Sequence, residues 1–238
     1  MSILLRERTS DGVEVLRLNR PAQRNAFDSA LLAAVNDTLT ALASDDELRV
    51  VVFSTTSSDA LSSGADVAEQ LDAEAGVARM EAFARMYAAV ETFPVPTIAV
   101  CVGHCVGAGA ELAAGCDLRV AGDNLKARWV GARFGVPVGP ARLAPLIGAA
   151  LAKDLIFTSR LLEAEEARAI GFVRSLHAPG EAEAAALQLA AALTKQHAAG
   201  ARQLKRLFLE LGDGTARVEQ ENRELIEFQR SGSGLPRR

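Results

Sequence analysis

The stretch Thr97–Val120, TIAVCVGHCVGAGAELAAGCDLRV, constrains this chain more than any other. It opens with a short apolar run, Thr97 to Val102, whose β-branched content fits a buried strand. A glycine-rich turn follows from Gly103 to Gly109, and then Ala110-Glu111-Leu112-Ala113-Ala114, a strong helix-forming sequence. After Gly115-Cys116 a second apolar strand is expected over Asp117–Ala121. Strand, glycine turn and helix start leave backbone N–H groups pointing outward at a helix N-terminus, where partial positive charge suits an anion. Glu111 sits about one turn inside that helix. Donors beside an acid are the layout for a reaction that passes through an oxyanion. The small residues Gly107, Ala108 and Gly109 equally suit a helix packed closely on a sheet, so the turn alone leaves both readings open. A dinucleotide-binding fingerprint fits less well. The turn is not at the chain start, and GAGAE lacks the full G-x-G-x-x-G spacing.

The rest of the composition narrows the class. In 238 residues, 49% are hydrophobic and 24% charged, as in an ordinary globular enzyme. A net charge of −4 with no basic run before the last few residues argues against nucleic acid, whose phosphates need a clustered positive surface. No apolar stretch approaches the roughly 20 residues of a membrane span. Glu7 interrupts the N-terminal apolar residues before a secretory segment could form, so none is expected. Cys101, Cys105 and Cys116 are odd in number and clustered, which fits core thiols in a reducing cytoplasm. Cys101, His104 and Cys105 lack a second ligand pair, so no metal is expected there.

Along the chain, residues 3–8 and 13–18 read as a hairpin turned at Ser10-Asp11-Gly12. The segment Asn19–Ala26 is a polar loop, and Asp28 or Ser29 caps a helix with the apolar face Leu31, Leu32, Val35, Leu39 and Leu42. Val50–Phe53 is a buried strand leading to a second small-residue turn at Ser62-Ser63-Gly64-Ala65-Asp66-Val67. A long helix spans about 73–93 and ends at Pro94. If Val50–Phe53 and Thr97–Val102 lie side by side, their turns could offer two N–H groups to one oxygen. Residues 122–145 show no clear period. Helices are expected at 149–157, at 164–170 closing on Gly171, and at 181–196, 201–211 and 216–229, with a short strand at Phe172-Val173. The tail, 231–238, reads as disordered. The pattern is one domain with a strand-rich front and a helical back.

Four motifs in order, LNRPAQRNAF (Leu18–Phe27), SSGADVAE (Ser62–Glu69), GHCVGAGAELAAGCDLRVA (Gly103–Ala121) and LIFTSRLLEAEEARAIGFV (Leu155–Val173), resemble the crotonase, or enoyl-CoA hydratase/isomerase, superfamily. The resemblance covers nearly the whole chain. It implies an α/β fold, a crotonase-like spiral of ββα turns related to Clp-type proteases. The spiral core would occupy about 1–175 and a helical C-terminal region about 176–230. It implies an acyl-CoA thioester as substrate, with coenzyme A part of that substrate and no separate cofactor. Homotrimers or dimers of trimers are implied as the assembly. It implies an oxyanion hole formed by the amides of Ala65 and Ala108, with Glu111 as a catalytic acid/base. Arg24, Ala26, Ala65, Asp66, Val67 and Gly107 would line the CoA site.

One departure bears on the reaction. The family's hydratases use a second glutamate after a Phe-Gly-x-Pro motif, and here Phe134-Gly135-Val136-Pro137 is followed by Val138 in a loop some ten residues shorter than is usual in the family. An alternative alignment puts Gly131 at that position. Neither supplies an acid. One carboxylate still permits a proton shuttle between carbons, thioester hydrolysis or weak hydration. His104 and Asp66 are candidate helpers, with packing roles the simpler reading. The expectation is therefore an acyl-CoA-processing enzyme with Glu111 as its only general acid/base. The alternative is a crotonase-fold CoA-binding or assembly subunit with impaired chemistry. A serine hydrolase of the Clp type fails, because no Ser/His/Asp set stands at recognisable positions.

Overall fold

The computed structural model describes residues 2–232 and 234–235. Of the tail expected to be disordered, Ser233 and 236–238 lie outside the described residues. The chain begins with an antiparallel hairpin, β1 (Leu4–Arg8) and β2 (Val13–Leu18). Asp28 then caps α1 (Ser29–Ala43) by accepting the Leu31 amide, and the buried face is the Leu31, Leu32, Val35, Leu39, Leu42 stripe.

Three turns of strand, strand and helix follow. The first is β3 (Val50–Thr55), β4 (Ala60–Ser62) and α2 (Ala73–Glu91). The second is β5 (Thr97–Cys101), β6 (His104–Val106) and α3 (Ala108–Gly115). The third is β7 (Leu118–Gly122), β8 (Lys126–Arg128) and α4 (Gly131–Phe134). Beyond them run α5 (Pro140–Ile147), α6 (Ala149–Thr158), β9 (Leu162–Glu163), α7 (Ala164–Ala169) and β10 (Leu176–His177). The C-terminal helices are α8 (Ala182–Thr194), α9 (Ala198–Leu211) and α10 (Gly214–Ser231).

The first strand of each turn enters a six-stranded sheet, β1-β2-β3-β5-β7-β10, and the second enters a four-stranded sheet, β4-β6-β8-β9. This is the expected ββα spiral. β3 and β5 are parallel neighbours, with Val51, Val52 and Phe53 opposite Thr97, Ile98 and Ala99. Both are buried on two faces, which is why they read as unbroken apolar runs. Val51 and Phe53 join the main core, while Val50, Val52, Ile98 and Val100 meet α8. Ala182, Ala186 and Ala190 recur every fourth residue of α8, and these small side chains let the helix lie close against the sheet.

Two expectations differ from what is found. The glycine-rich turn 103–109 contains a strand, β6, and α3 starts at Ala108 rather than Ala110. Pairing with β4 and β8 holds those three residues extended, a non-local cause with no local period. Phe172-Val173 is not a strand. Both are buried, the Val173 amide donates to Ala167 O, and the edge strand is β10 instead.

Candidate active site

The two small-residue turns meet. Phe27 pairs with the chain at Ala65 by donating to Gly64 O (2.7 Å) and accepting from the Asp66 amide (2.9 Å), which pins the turn on both sides of Ala65. Asn25 holds this loop in place. It is fully buried, in the left-handed region (φ 53°) that Asn tolerates, and its amide donates to Thr55 Oγ1, Ala60 O and Leu61 O. On the other side Gly107 is the N-cap of α3, its carbonyl accepting the Glu111 amide at 2.9 Å. Gly109 must be glycine for the turns to approach, since a Cβ there would stand 2.6 Å from Ser62 O. A Cβ on Gly64 would lie 3.6 Å from the Ala108 nitrogen. The amides of Ala65 and Ala108 donate to no acceptor among the described residues.

Both turns wall an apolar cavity of about 310 Å³. Ala65, Val67, Gly107 and Ala108 line one side; Met80, Phe83 and Tyr87 of α2, with Leu225 of α10, line another. Val130, Gly131, Phe134, Val136 and Val138 close it, and Leu235 beyond the end of α10 also touches it. Gly131 and Val138, the two positions aligned with a second glutamate, are thus both in the cavity wall and neither carries an acid.

Glu111 is 1% exposed, lies behind that wall and does not line the cavity. Its Oε2 accepts from Arg142 Nε at 2.6 Å, and Arg142 also pairs with Glu221 of α10. The Arg142 guanidinium stacks over Tyr87, 4.5 Å from the ring centroid. Glu221 completes the cluster by accepting the Ala141 amide (2.7 Å) at the start of α5. Burial raises the Glu111 carboxyl to about 7, against the attraction of Arg142 and with repulsion from Glu221 adding to the rise. Burial outweighs the ion pair because Arg142 is shared with a second carboxylate. Arg142 itself is held above its ordinary value by Glu111 and Glu221, which together exceed the cost of its burial. Burial likewise keeps the Tyr87 phenol neutral.

The other expected residues are more scattered. Arg24 is exposed, but its carbonyl accepts the Ser63 amide (2.9 Å), placing it beside the Ala65 turn. Ala26 is buried, with its carbonyl bound by the Arg20 guanidinium. The Asp66 carboxylate faces Arg20 (3.1 Å) and the Ala68 amide, not the cavity. His104 sits on β6 outside the cavity wall, its pKa lowered by partial burial and by the charges of Arg24 and Lys126. The three cysteines are free and buried. Sequence reasoning missed Tyr87, Arg142 and Glu221. Arg142 had one available signal, a lone cation in the apolar stretch Pro140–Ile147, where a buried charge needs a partner.

No helix among the described residues is long and apolar enough to cross a membrane. The sequence profile described as enoyl-CoA hydratase/isomerase matches residues 8–231. The chain is 35% identical over 191 residues to enoyl-CoA hydratase domain-containing protein 2, mitochondrial, of Homo sapiens, covering 78% of this chain and 65% of that protein. It is 34% identical over 175 residues to the mitochondrial methylglutaconyl-CoA hydratase of Rattus norvegicus, covering 70% of this chain and 55% of the relative. The chain therefore spans only part of these relatives' lengths. Its fold superposes on the crystal structure of an enoyl-CoA hydratase from Bacillus anthracis with a TM-score of 0.83, at 26% identity and over 95% of this chain and 92% of that one. With its ββα spiral and the ordered motifs that build it, the chain belongs to the enoyl-CoA hydratase/isomerase family of the crotonase superfamily.

Proposed function

We propose that the protein processes an acyl-CoA thioester through its enolate. The amides of Ala65 and Ala108 receive the developing oxyanion, and Glu111 moves the proton. One observation carries this reading: two amides without an acceptor stand on adjacent turns in the wall of an apolar cavity. A thioester oxygen gains charge as the enolate forms, so preorganised donors act more strongly on the transition state than on the substrate. The apolar lining suits an acyl chain, and the exposed Arg24, whose carbonyl binds the Ser63 amide, would meet the polar part of coenzyme A. No further cofactor is invoked.

Glu111 has one oxygen tied to Arg142 and one free. A carboxyl with a pKa near neutrality can both take and return a proton, as a single-acid shuttle requires. The deprotonated form is the base, so raising its pKa moves the lower limb of the activity profile upward. The expected kcat/KM therefore climbs with pH and levels off above about 7, whereas an ordinary glutamate would level off well below that value. A kcat/KM profile on a turned-over acyl-CoA checks this.

Reaction type is decided by mass spectrometry of saturated and unsaturated acyl-CoAs incubated in heavy water, beside Glu111→Gln. A mass gain from water shows hydration, and deuterium at carbon without it shows isomerase-type proton transfer. Thioester cleavage shows hydrolysis. Wild-type turnover that Glu111→Gln leaves unchanged would sink the acid/base assignment. A second reading has its own observation in its favour: Glu111 lies behind the cavity wall and no second acid lines it. CoA binding without turnover of any substrate would make the protein a non-catalytic CoA-binding or assembly subunit.

For assembly, α9 exposes Leu204, Leu207, Phe208 and Leu211 on one face, an i, i+3, i+4, i+7 stripe that a monomer would leave in water. A homotrimer, or a pair of trimers, would cover it. Phe208→Glu with Leu211→Glu is expected to shift the protein to monomer in light scattering; an unchanged mass would remove α9 from the interface. The buried free thiols fit a reducing compartment, and the cytoplasm is one such place. The name of the human relative places that protein in mitochondria, so cytoplasm is not singled out.

A further inference from the structure

Part of the cavity wall comes from beyond the last helix. α10 is fastened along α2: the Asn222 amide donates to Ala84 O (2.9 Å), and Arg230 pairs with Glu81 (2.8 Å). Leu225, buried on α10, lines the cavity. After α10 the chain turns back. The amide of Gly232, its C-cap, donates to Phe228 O (3.1 Å), and Gly234 is buried in the left-handed region (φ 66°). Leu235 then packs against the main core and lines the cavity. The Gln229 side chain is wedged between Gly234 and Gly76 of α2. A Cβ on Gly76 would stand 2.9 Å from Gln229 Nε2, and one on Gly234 would collide with the same amide. Glycine at both positions lets the returning chain lie this close to α2.

These contacts locate Leu235. Tyr87 marks the end of α2 nearest the acid, since Arg142 stacks on its ring and pairs with Glu111. Gly76, towards the other end of α2, is three turns away, about 16 Å along the axis. Met80 and Phe83 line the cavity between them. Gly234 reaches α2 at Gly76, through Gln229, so Leu235 meets the cavity at the end remote from Glu111. We propose that Leu235 is a specificity-determining residue: it stops the far end of a hydrocarbon acyl chain and so sets the chain length the protein accepts. The assignment rests on the acyl-CoA reading given above. Met80, Leu225 and Leu235 offer apolar surface at this end. Each methylene that finds room there gains by leaving water, and each that does not must displace a side chain or stay outside. Leu235 is only half-buried, so changing it alters the cavity more than the fold.

The test is calorimetric titration of the full chain with saturated acyl-CoAs from butanoyl to dodecanoyl, which needs binding and no turnover. Leu235→Ala opens the wall and Leu235→Trp fills it. The affinity ratio of dodecanoyl-CoA to butanoyl-CoA is expected to rise at least about tenfold in Leu235→Ala and to fall about tenfold in Leu235→Trp. That is the worth of a methylene gained or lost in an apolar pocket. Gly234→Val keeps the leucine but crowds Gln229 and forces a β-branched residue into positive φ, so it should follow Leu235→Ala. An unchanged ratio in both Leu235 variants overturns the proposal. So does a change by the same factor at every chain length, which would put Leu235 at the CoA end instead. Free fatty acids of the same lengths separate the two readings, because they need only the cavity. If they show the shifted ratio while no acyl-CoA binds, the role of Leu235 stands and the acyl-CoA reading falls. Binding of neither series overturns both.

Discussion

Ala108→Pro is expected to lower acyl-CoA turnover by about 10²–10³-fold while leaving the protein folded, the usual effect of removing one oxyanion donor. Ala108 is the first residue of α3, and proline is well tolerated there because that amide has no intrahelical acceptor. Its fixed φ suits a helix start, and the preceding Gly107 (φ 51°) has the freedom that a residue before proline needs. The substitution therefore removes one N–H and sets the ring Cδ in its place, leaving the helix start otherwise intact. Thermal unfolding and CoA binding should stay near wild type while kcat collapses. A turnover within a few-fold of wild type, in a folded protein that binds CoA, would show that the Ala108 amide holds no developing charge.

Arg142→Met is expected to produce the largest stability loss, about 3–5 kcal/mol, because it leaves Glu111 and Glu221 buried without their shared cation. For a chain of this length that corresponds to a fall in Tm on the order of 10 °C. The physical cause is uncompensated charge rather than lost volume, since methionine fills much of the same space. Arg142→Met combined with Glu111→Gln and Glu221→Gln should therefore regain much of the loss, as neutral amides need no counter-charge. If the triple variant is no more stable than Arg142→Met, packing of the Arg142 stem and its stack on Tyr87 dominates instead.

Long elements with a clear period were legible in the residues. The α1 stripe from Leu31 to Leu42, the helix after Asp72 and the buried runs Val50–Phe53 and Thr97–Cys101 all lie where their local patterns put them. The three-residue strands β4, β6 and β8 were not legible, because three residues cannot display an alternation, and what extends them is pairing with each other. Residues 122–145 resisted reading for a related reason. They fold into β8, α4 and α5, short pieces that are shaped by what they pack against.

The sequence by itself determined the family, the two small-residue turns, the helix that begins between Gly107 and Glu111, and the lack of an acid at Gly131 and Val138. Those are matters of residue type and local spacing, and local spacing decides which backbone forms are favourable. Only the tertiary structure decided that the turns meet around one cavity, that Glu111 lies behind its wall, and that Arg142 joins it to Glu221. Glu221 and Arg142 are 79 residues apart, and no periodicity spans that distance. The protonation of Glu111 likewise depends on how completely water is excluded and which charges face it, and both are set by packing between elements rather than within one.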